Sequence, residues 1–167
     1  MAVLAAYEAA GAADPSADLD EMARLAAQLL GVPIGFVSLV GRDDVKVAGR
    51  HGFDIRSLPR GETYCSHTIQ GDEPLVIPDT LADPRFADYP VTRAGIRFYA
   101  GAPLVSALEG RKLGALCIAD TSPRPLLDDR HRALLADLAH VVMEDLDRRR
   151  AAAWQRSDAA DAPPVAA

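Results

Sequence analysis

Residues 96–119 read IRFYAGAPLVSALEGRKLGALCIA. Two apolar runs, 96–105 and 113–119, flank the polar segment Glu109-Gly-Arg-Lys112. Apolar runs of strand length around a Gly-containing polar turn predict two antiparallel strands joined as a hairpin. The same pattern stands earlier in the chain. Runs 34–40 and 45–51 flank Gly41-Arg-Asp-Asp44 and predict a second hairpin. Between the hairpins, Gly49, Gly52, Pro59 and Gly61 punctuate a loop, and Thr63 is placed to cap a short helix ending at Ile69 or Gln70. Leu75-Val-Ile77 is a short strand stopped by Pro78, and Asp83-Pro84 predicts a further short helix over 85–88.

Helical spacing brackets this strand-rich middle. Leu19, Met22, Leu25, Ala26, Leu29 and Leu30 fall on one face, with Ser16 or Asp18 to cap the start and Gly31 to close the end. Asp128 caps a final helix in which Leu127, His131, Leu134, Leu135, Leu138, Val141, Val142, Asp145 and Leu146 trace a mostly apolar face. Continued to Gln155, that helix is roughly 40 Å long. It would outreach the domain beneath it, so its far end needs another surface, and a homodimer is expected. The order of elements predicts an α+β fold, an antiparallel sheet with helices on one face. Three segments are expected: a loosely held N-terminal part (1–16) with Leu4 and Tyr7 as its large apolar side chains, a domain (17–150), and a helix end with a disordered tail (151–167).

Composition narrows the function. The 167-residue chain carries a net charge of −6, and 49% of its residues are hydrophobic. One core of this size folds without metal or disulfide support. The acidic balance would repel a phosphate backbone, so nucleic acid is not an expected partner. The cluster Arg148, Arg149 and Arg150 follows Glu144, Asp145 and Asp147 and suits a solvated helix end. Two cysteines make no disulfide framework, the N-terminal stretch lacks the basic start and long apolar run expected of a signal peptide, and no run approaches the ~20 apolar residues of a membrane span. A soluble, cytoplasmic protein without a membrane partner is expected.

Six segments, in order, carry a family likeness: LLGVPIGFVSLV (29–40), YCSHTI (64–69), PLVIPD (74–79), ADPRF (82–86), IRFYAGAPL (96–104) and LGALCIAD (113–120). Together they resemble a GAF domain over roughly residues 17–150. The resemblance implies a GAF-like central antiparallel sheet of five to six strands, one of them from the region taken here as loop. It places N- and C-terminal helices on one face, and loops and short helices enclosing a pocket on the other. GAF pockets hold cyclic nucleotides, bilins, haem, amino acids or nothing known, so the cofactor stays unknown. The outer helices of the family commonly dimerise and signal to an attached or partner catalytic domain such as a kinase or cyclase. The implied function is sensing of an unidentified small molecule in bacterial signal transduction.

Residues expected to line the pocket are Tyr64, Cys65, His67, Thr68, Asp79, Phe86, Arg97 and Tyr99, with Arg93, Ile96 and Phe98 nearby. Each has a plainer role available. Asp79 can cap the turn at Thr80-Leu81, and Arg97 or Tyr99 can be the solvent side of an alternating strand. Cys65 at a helix start is placed for a lowered pKa, yet free cysteine is also a common buried hydrophobe. His51, His67, His131 and His140 show no zinc spacing, which leaves haem ligation by His67 or His51 open. Some GAF-like proteins reduce free methionine sulfoxide, and the chain resembles them around 61–65. Their nucleophilic cysteine is missing near Val76-Ile-Pro-Asp79, so the chain is expected not to be an enzyme. The cysteine–histidine of covalent bilin binding is absent between Asp79 and Ile96, and the cyclic-nucleotide signature of phosphodiesterase GAF domains is not recognisable. Two alternatives stand beside the sensor: a thiol redox sensor or methionine-sulfoxide-reductase-like enzyme centred on Cys65 with Cys117 as partner, and a ligand-free interaction scaffold.

Overall fold

A computed structural model describes residues 3–7 and 17–161. Six strands form one antiparallel sheet: β1 (Ile34–Val40), β2 (Asp44–His51), β3 (Ser57–Pro59), β4 (Leu75–Ile77), β5 (Phe98–Ser106) and β6 (Arg111–Asp120). Their order across the sheet is β3-β2-β1-β6-β5-β4, so each hairpin stays together and β1 pairs β6 at the centre. Among the described residues, a short N-terminal helix over 3–7 and four further helices accompany them: α1 (Ala17–Leu29), α2 (Cys65–Thr68), α3 (Pro90–Arg93) and α4 (Asp129–Asp161).

Side-chain alternation divides the sheet into two covered faces. Even-numbered residues of β5 and β6, among them Phe98, Leu104, Leu116 and Ile118, join Val37 and Leu39 of β1 beneath α1 and α4. Odd-numbered residues, among them Tyr99, Ala115 and Cys117, face the other way, towards α2 and the irregular crossover. Gly31, at φ +67°, closes α1 as expected, with its N–H donating to the Gln28 carbonyl. Asp128 caps α4 by accepting the His131 N–H at 2.8 Å.

The structure corrects several expectations. β3, a three-residue edge strand pairing Val45 with Leu58, forms in the segment that the residues alone mark as loop and from which the family resemblance implies a further strand. The short helix expected over 85–88 is a set of turns. Asp83 accepts the Arg85 N–H, but the chain turns inward to bury Phe86, and α3 starts at Pro90 instead. Thr63 does not cap α2. Its hydroxyl lies 2.9 Å from that of Ser66, and no side chain caps that helix start.

Both ends of the chain also differ. Tyr7, on the helical residues 3–7, is fully buried, and its hydroxyl meets Ser106 and Asp147. Arg149 and Arg150 are not a solvated end: Arg149 pairs with Asp18 and Asp145, and Arg150 with Glu109. α4 runs through Asp161, about 50 Å at 1.5 Å per residue, so 157–161, expected disordered, are helical. Val141, expected on its apolar face, is half exposed. The expectations for residues 8–16 and 162–167 lie outside the described residues. No helix among the described residues is long and apolar enough to cross a membrane.

Candidate functional site

On the face of the sheet away from α1 and α4 is a cavity of about 190 Å³. Strands supply its floor through Ile34 and Phe36 of β1, Val45 and Val47 of β2, Tyr99 of β5 and Ala119 of β6. Phe53, Ile55 and Leu58 close one side, and Val91, Ala94 and Ile96 around α3 close the other. Tyr64 and Cys65 enter at the start of α2.

Alternation explains why these strand residues converge: positions 34 and 36, and 99 and 119, sit on one side of their strands, with the helix-facing core between them in sequence. Phe53, Ile55 and Leu58 were not selected from the sequence; their one signal is that apolar side chains in a segment punctuated by Gly52 and Pro59 must bury against something.

The polar groups on the cavity wall already have partners. The Tyr64 hydroxyl lies 2.6 Å from that of Thr92, which donates to the Phe86 carbonyl at 2.8 Å. Thr63 donates to the Arg60 carbonyl and meets Ser66. The Tyr99 hydroxyl lies 2.7 Å from Thr68 and 3.2 Å from the Cys117 sulfur. Gly101 makes room for that hydroxyl, since a Cβ there would stand 2.2 Å from it. Burial raises the Tyr99 phenol well above its ordinary pKa and also raises that of Tyr64, so both stay protonated at neutral pH.

Of the eight residues selected from sequence, Tyr64, Cys65 and Tyr99 line the cavity, and Thr68 stands behind them, bonded to Tyr99. Phe86 is fully buried, packed edge-on to Tyr64 at 5.5 Å. His67 lies beyond it, its Nε2 at 2.9 Å from the Tyr89 hydroxyl, and burial lowers its pKa, helped by Arg85. Asp79 and Arg97 are brought together, but with each other: the guanidinium donates twice to the carboxylate, at 3.0 and 2.9 Å. The Arg97 bond holds Asp79 below its ordinary pKa, and Asp79 also accepts the Leu81 N–H, the turn-capping role. Ile96 lines the cavity; Phe98 faces the helices and Arg93 pairs with Asp88. No cluster of three metal-binding side chains occurs among the described residues.

Comparison with known proteins bears on this geometry. A curated relative, the cyclic di-GMP phosphodiesterase PA2567 of Pseudomonas aeruginosa, is 37% identical over 126 residues, 74% of this chain and 21% of that protein. The chain thus spans about a fifth of the relative's length. Among solved structures, the blue-light absorbing form of the Thermosynechococcus elongatus PixJ GAF domain matches with a TM-score of 0.69 at 13% identity, covering 89% of this chain and 94% of its own. The type II free methionine-R-sulfoxide reductase of Thermoplasma acidophilum matches with a TM-score of 0.65 at 12% identity, covering 86% and 96%.

The last match corrects the expectation that the chain is not an enzyme. A reductase is built on this same fold, so neither the architecture nor one missing cysteine near Asp79 excludes catalysis. A GAF domain profile matches residues 14–146, and the sheet order, the helix-backed face and the cavity face all agree with it. The chain belongs to the GAF domain family.

Proposed function

We propose that this GAF domain is a sensory module of a signalling protein and that its cavity takes a small apolar molecule. One observation carries the reading: the cavity wall is almost wholly apolar, and each polar side chain reaching it is already hydrogen-bonded within the protein. A phosphate or carboxylate would meet no cation there, because Arg97 is committed to Asp79. At about 190 Å³ the site exceeds the ~150 Å³ apolar cavities that accept benzene, which points to a bicyclic aromatic or medium-chain aliphatic ligand. β1 links the site to the outer helices, since Phe36 faces the cavity and Gly35 touches α1. The attached or partnered output is proposed to be a signalling kinase, a cyclase or, by likeness to the relative, a cyclic di-GMP phosphodiesterase.

Indole and 1-octanol are the probes. Each is expected to bind with a micromolar to low-millimolar Kd by calorimetry, and Val91→Trp, which fills the α3 side, to weaken binding at least tenfold, about 1.4 kcal/mol. If neither probe binds, and solvent extraction of protein purified from its own host releases no small molecule, the cavity reading fails in favour of a ligand-free scaffold.

The proposed module acts as a homodimer through α4. From Trp154 to Ala160 every side chain is exposed, so no surface among the described residues covers this stretch, and Trp154 and Leu108 remain apolar and open. Light scattering at tens of micromolar is expected to give the dimer mass, and Trp154→Glu to shift it towards monomer. A monomer throughout that range refutes this assembly.

A further inference from the structure

We propose that Cys65 and Cys117 form a dithiol that a hydroperoxide admitted by the cavity converts to a disulfide, and that a dithiol reductant restores. The two sulfurs, 52 residues apart in sequence, lie 3.7 Å apart, one at the start of α2 and the other in the middle of β6. They are the chain's two cysteines. Cys65 opens onto the cavity, whereas Cys117 is fully buried directly behind it.

The surroundings assign different roles to the two thiols. A hydrogen bond from Cys117 holds the Cys65 thiol below its ordinary pKa, assisted by Ser38 and Tyr99 and opposed by burial. Burial, with the neighbouring Cys65, pushes Cys117 well above the usual thiol range. Cys65, the sulfur that opens onto the cavity, is therefore the nucleophile, and Cys117, buried behind it, the resolving thiol. The Tyr99 hydroxyl stands 3.2 Å from Cys117 and 3.8 Å from Cys65, as a donor to whichever sulfur carries charge.

In the first step the Cys65 thiolate attacks the terminal oxygen of the hydroperoxide. The O–O bond breaks, the alkoxide leaves and is protonated to an alcohol, and Cys65 becomes a sulfenic acid. In the second, the Cys117 sulfur attacks the Cys65 sulfur. The S–O bond breaks, and hydroxide leaves with the Cys117 proton as water. Two thiols have lost two hydrogens, and one hydroperoxide has become an alcohol and water. Closing from 3.7 Å to the ~2.05 Å of an S–S bond draws α2 towards β6. It also disturbs the Tyr99–Thr68 contact, so oxidation reshapes one wall of the cavity. Reduction follows by thiol–disulfide exchange.

This inference needs the cavity to admit a hydroperoxide but no resident ligand, so it stands or falls apart from the indole and octanol experiment. Reduced full-length protein is treated anaerobically with one equivalent of cumene hydroperoxide, or of hydrogen peroxide, then denatured and alkylated with N-ethylmaleimide. The expected result is a chain lighter by two hydrogens that takes up no maleimide, with a digest peptide joining Cys65 to Cys117. Dithiothreitol should restore both thiols. Cys117→Ser should stop at a sulfenic acid that dimedone traps, with Cys65→Ser inert. Two alkylatable thiols after treatment with both oxidants, a link between chains, or over-oxidation of Cys65 without linkage would each overturn the proposal.

Discussion

Gly35→Ala is expected to destabilise the protein by about 2 kcal/mol, although glycine to alanine within a strand usually helps. An added methyl there would ordinarily restrict the unfolded chain and contribute ~0.4–1 kcal/mol of stability. At Gly35 the same methyl would lie 2.1 Å from the Ala23 carbonyl oxygen and 3.2 Å from the Ala27 Cβ. Both belong to α1, whose buried face is built from Ala23, Ala26 and Ala27, so the helix backbone rests nearly on the sheet. Neither partner can yield: the carbonyl is held in the helix, and β1 is paired on both sides, with β2 and β6. Overpacking of this kind costs ~1–3 kcal/mol and outweighs the entropic gain. Gly61→Ala is the control, since a Cβ there meets nothing within 4 Å, and its effect should stay within ~0.5 kcal/mol. Urea unfolding midpoints decide the matter. A Gly35→Ala protein within 1 kcal/mol of the parent would show that α1 is not so closely seated.

Such close seating is what sequence periodicity cannot report. Spacing found α1, α4 and both hairpins, because amphipathic faces of many residues average out local exceptions. It missed β3, whose three residues are too few for alternation to show, and it placed a helix at 85–88, where burial of Phe86 takes over from the Asp83-Pro84 signal. The cavity was legible in outline. Tyr64, Cys65 and Tyr99 were found through family likeness, while Phe36, Phe53 and Val91 were not, because apolar side chains in strands and loops look alike until the sheet brings them together. The charged candidates pair with each other, which their sequence positions do not announce. Asp79 and Arg97 are 18 residues apart, and nothing in their spacing says that each satisfies the other. The Cys65–Cys117 contact rests on a register that only the pairing of β1, β5 and β6 defines.

Asp147→Ala is expected to cost about 3 kcal/mol, or roughly 6–12 °C in Tm for a chain of this length, and to release residues 3–7. The Asp147 carboxylate is buried where the N-terminal helix, the β5–β6 turn and α4 converge. It accepts hydrogen bonds from the Tyr7 hydroxyl, from Ser106 at 2.8 Å and from the Ala107 N–H at 3.0 Å. Truncation leaves these donors short of an acceptor in a site that water reaches poorly, and each stranded buried group costs ~1–3 kcal/mol. Tyr7 keeps the Arg150 guanidinium near its hydroxyl and over its ring at 4.9 Å, which limits the loss. Tyr7→Phe removes a single donor and should cost about 1 kcal/mol. In a double-mutant cycle the pair should couple by ~1 kcal/mol or more, since each change disables the same bond. Hydrogen exchange supplies the local readout, with amides of residues 3–7 losing protection in Asp147→Ala while β1 and β6 keep theirs. Additive losses with protection unchanged at residues 3–7 would mean that the N-terminal helix is held by its apolar contacts alone. The Tyr7–Asp147 bond would then have no part in fixing the end of the sheet from which α4 extends.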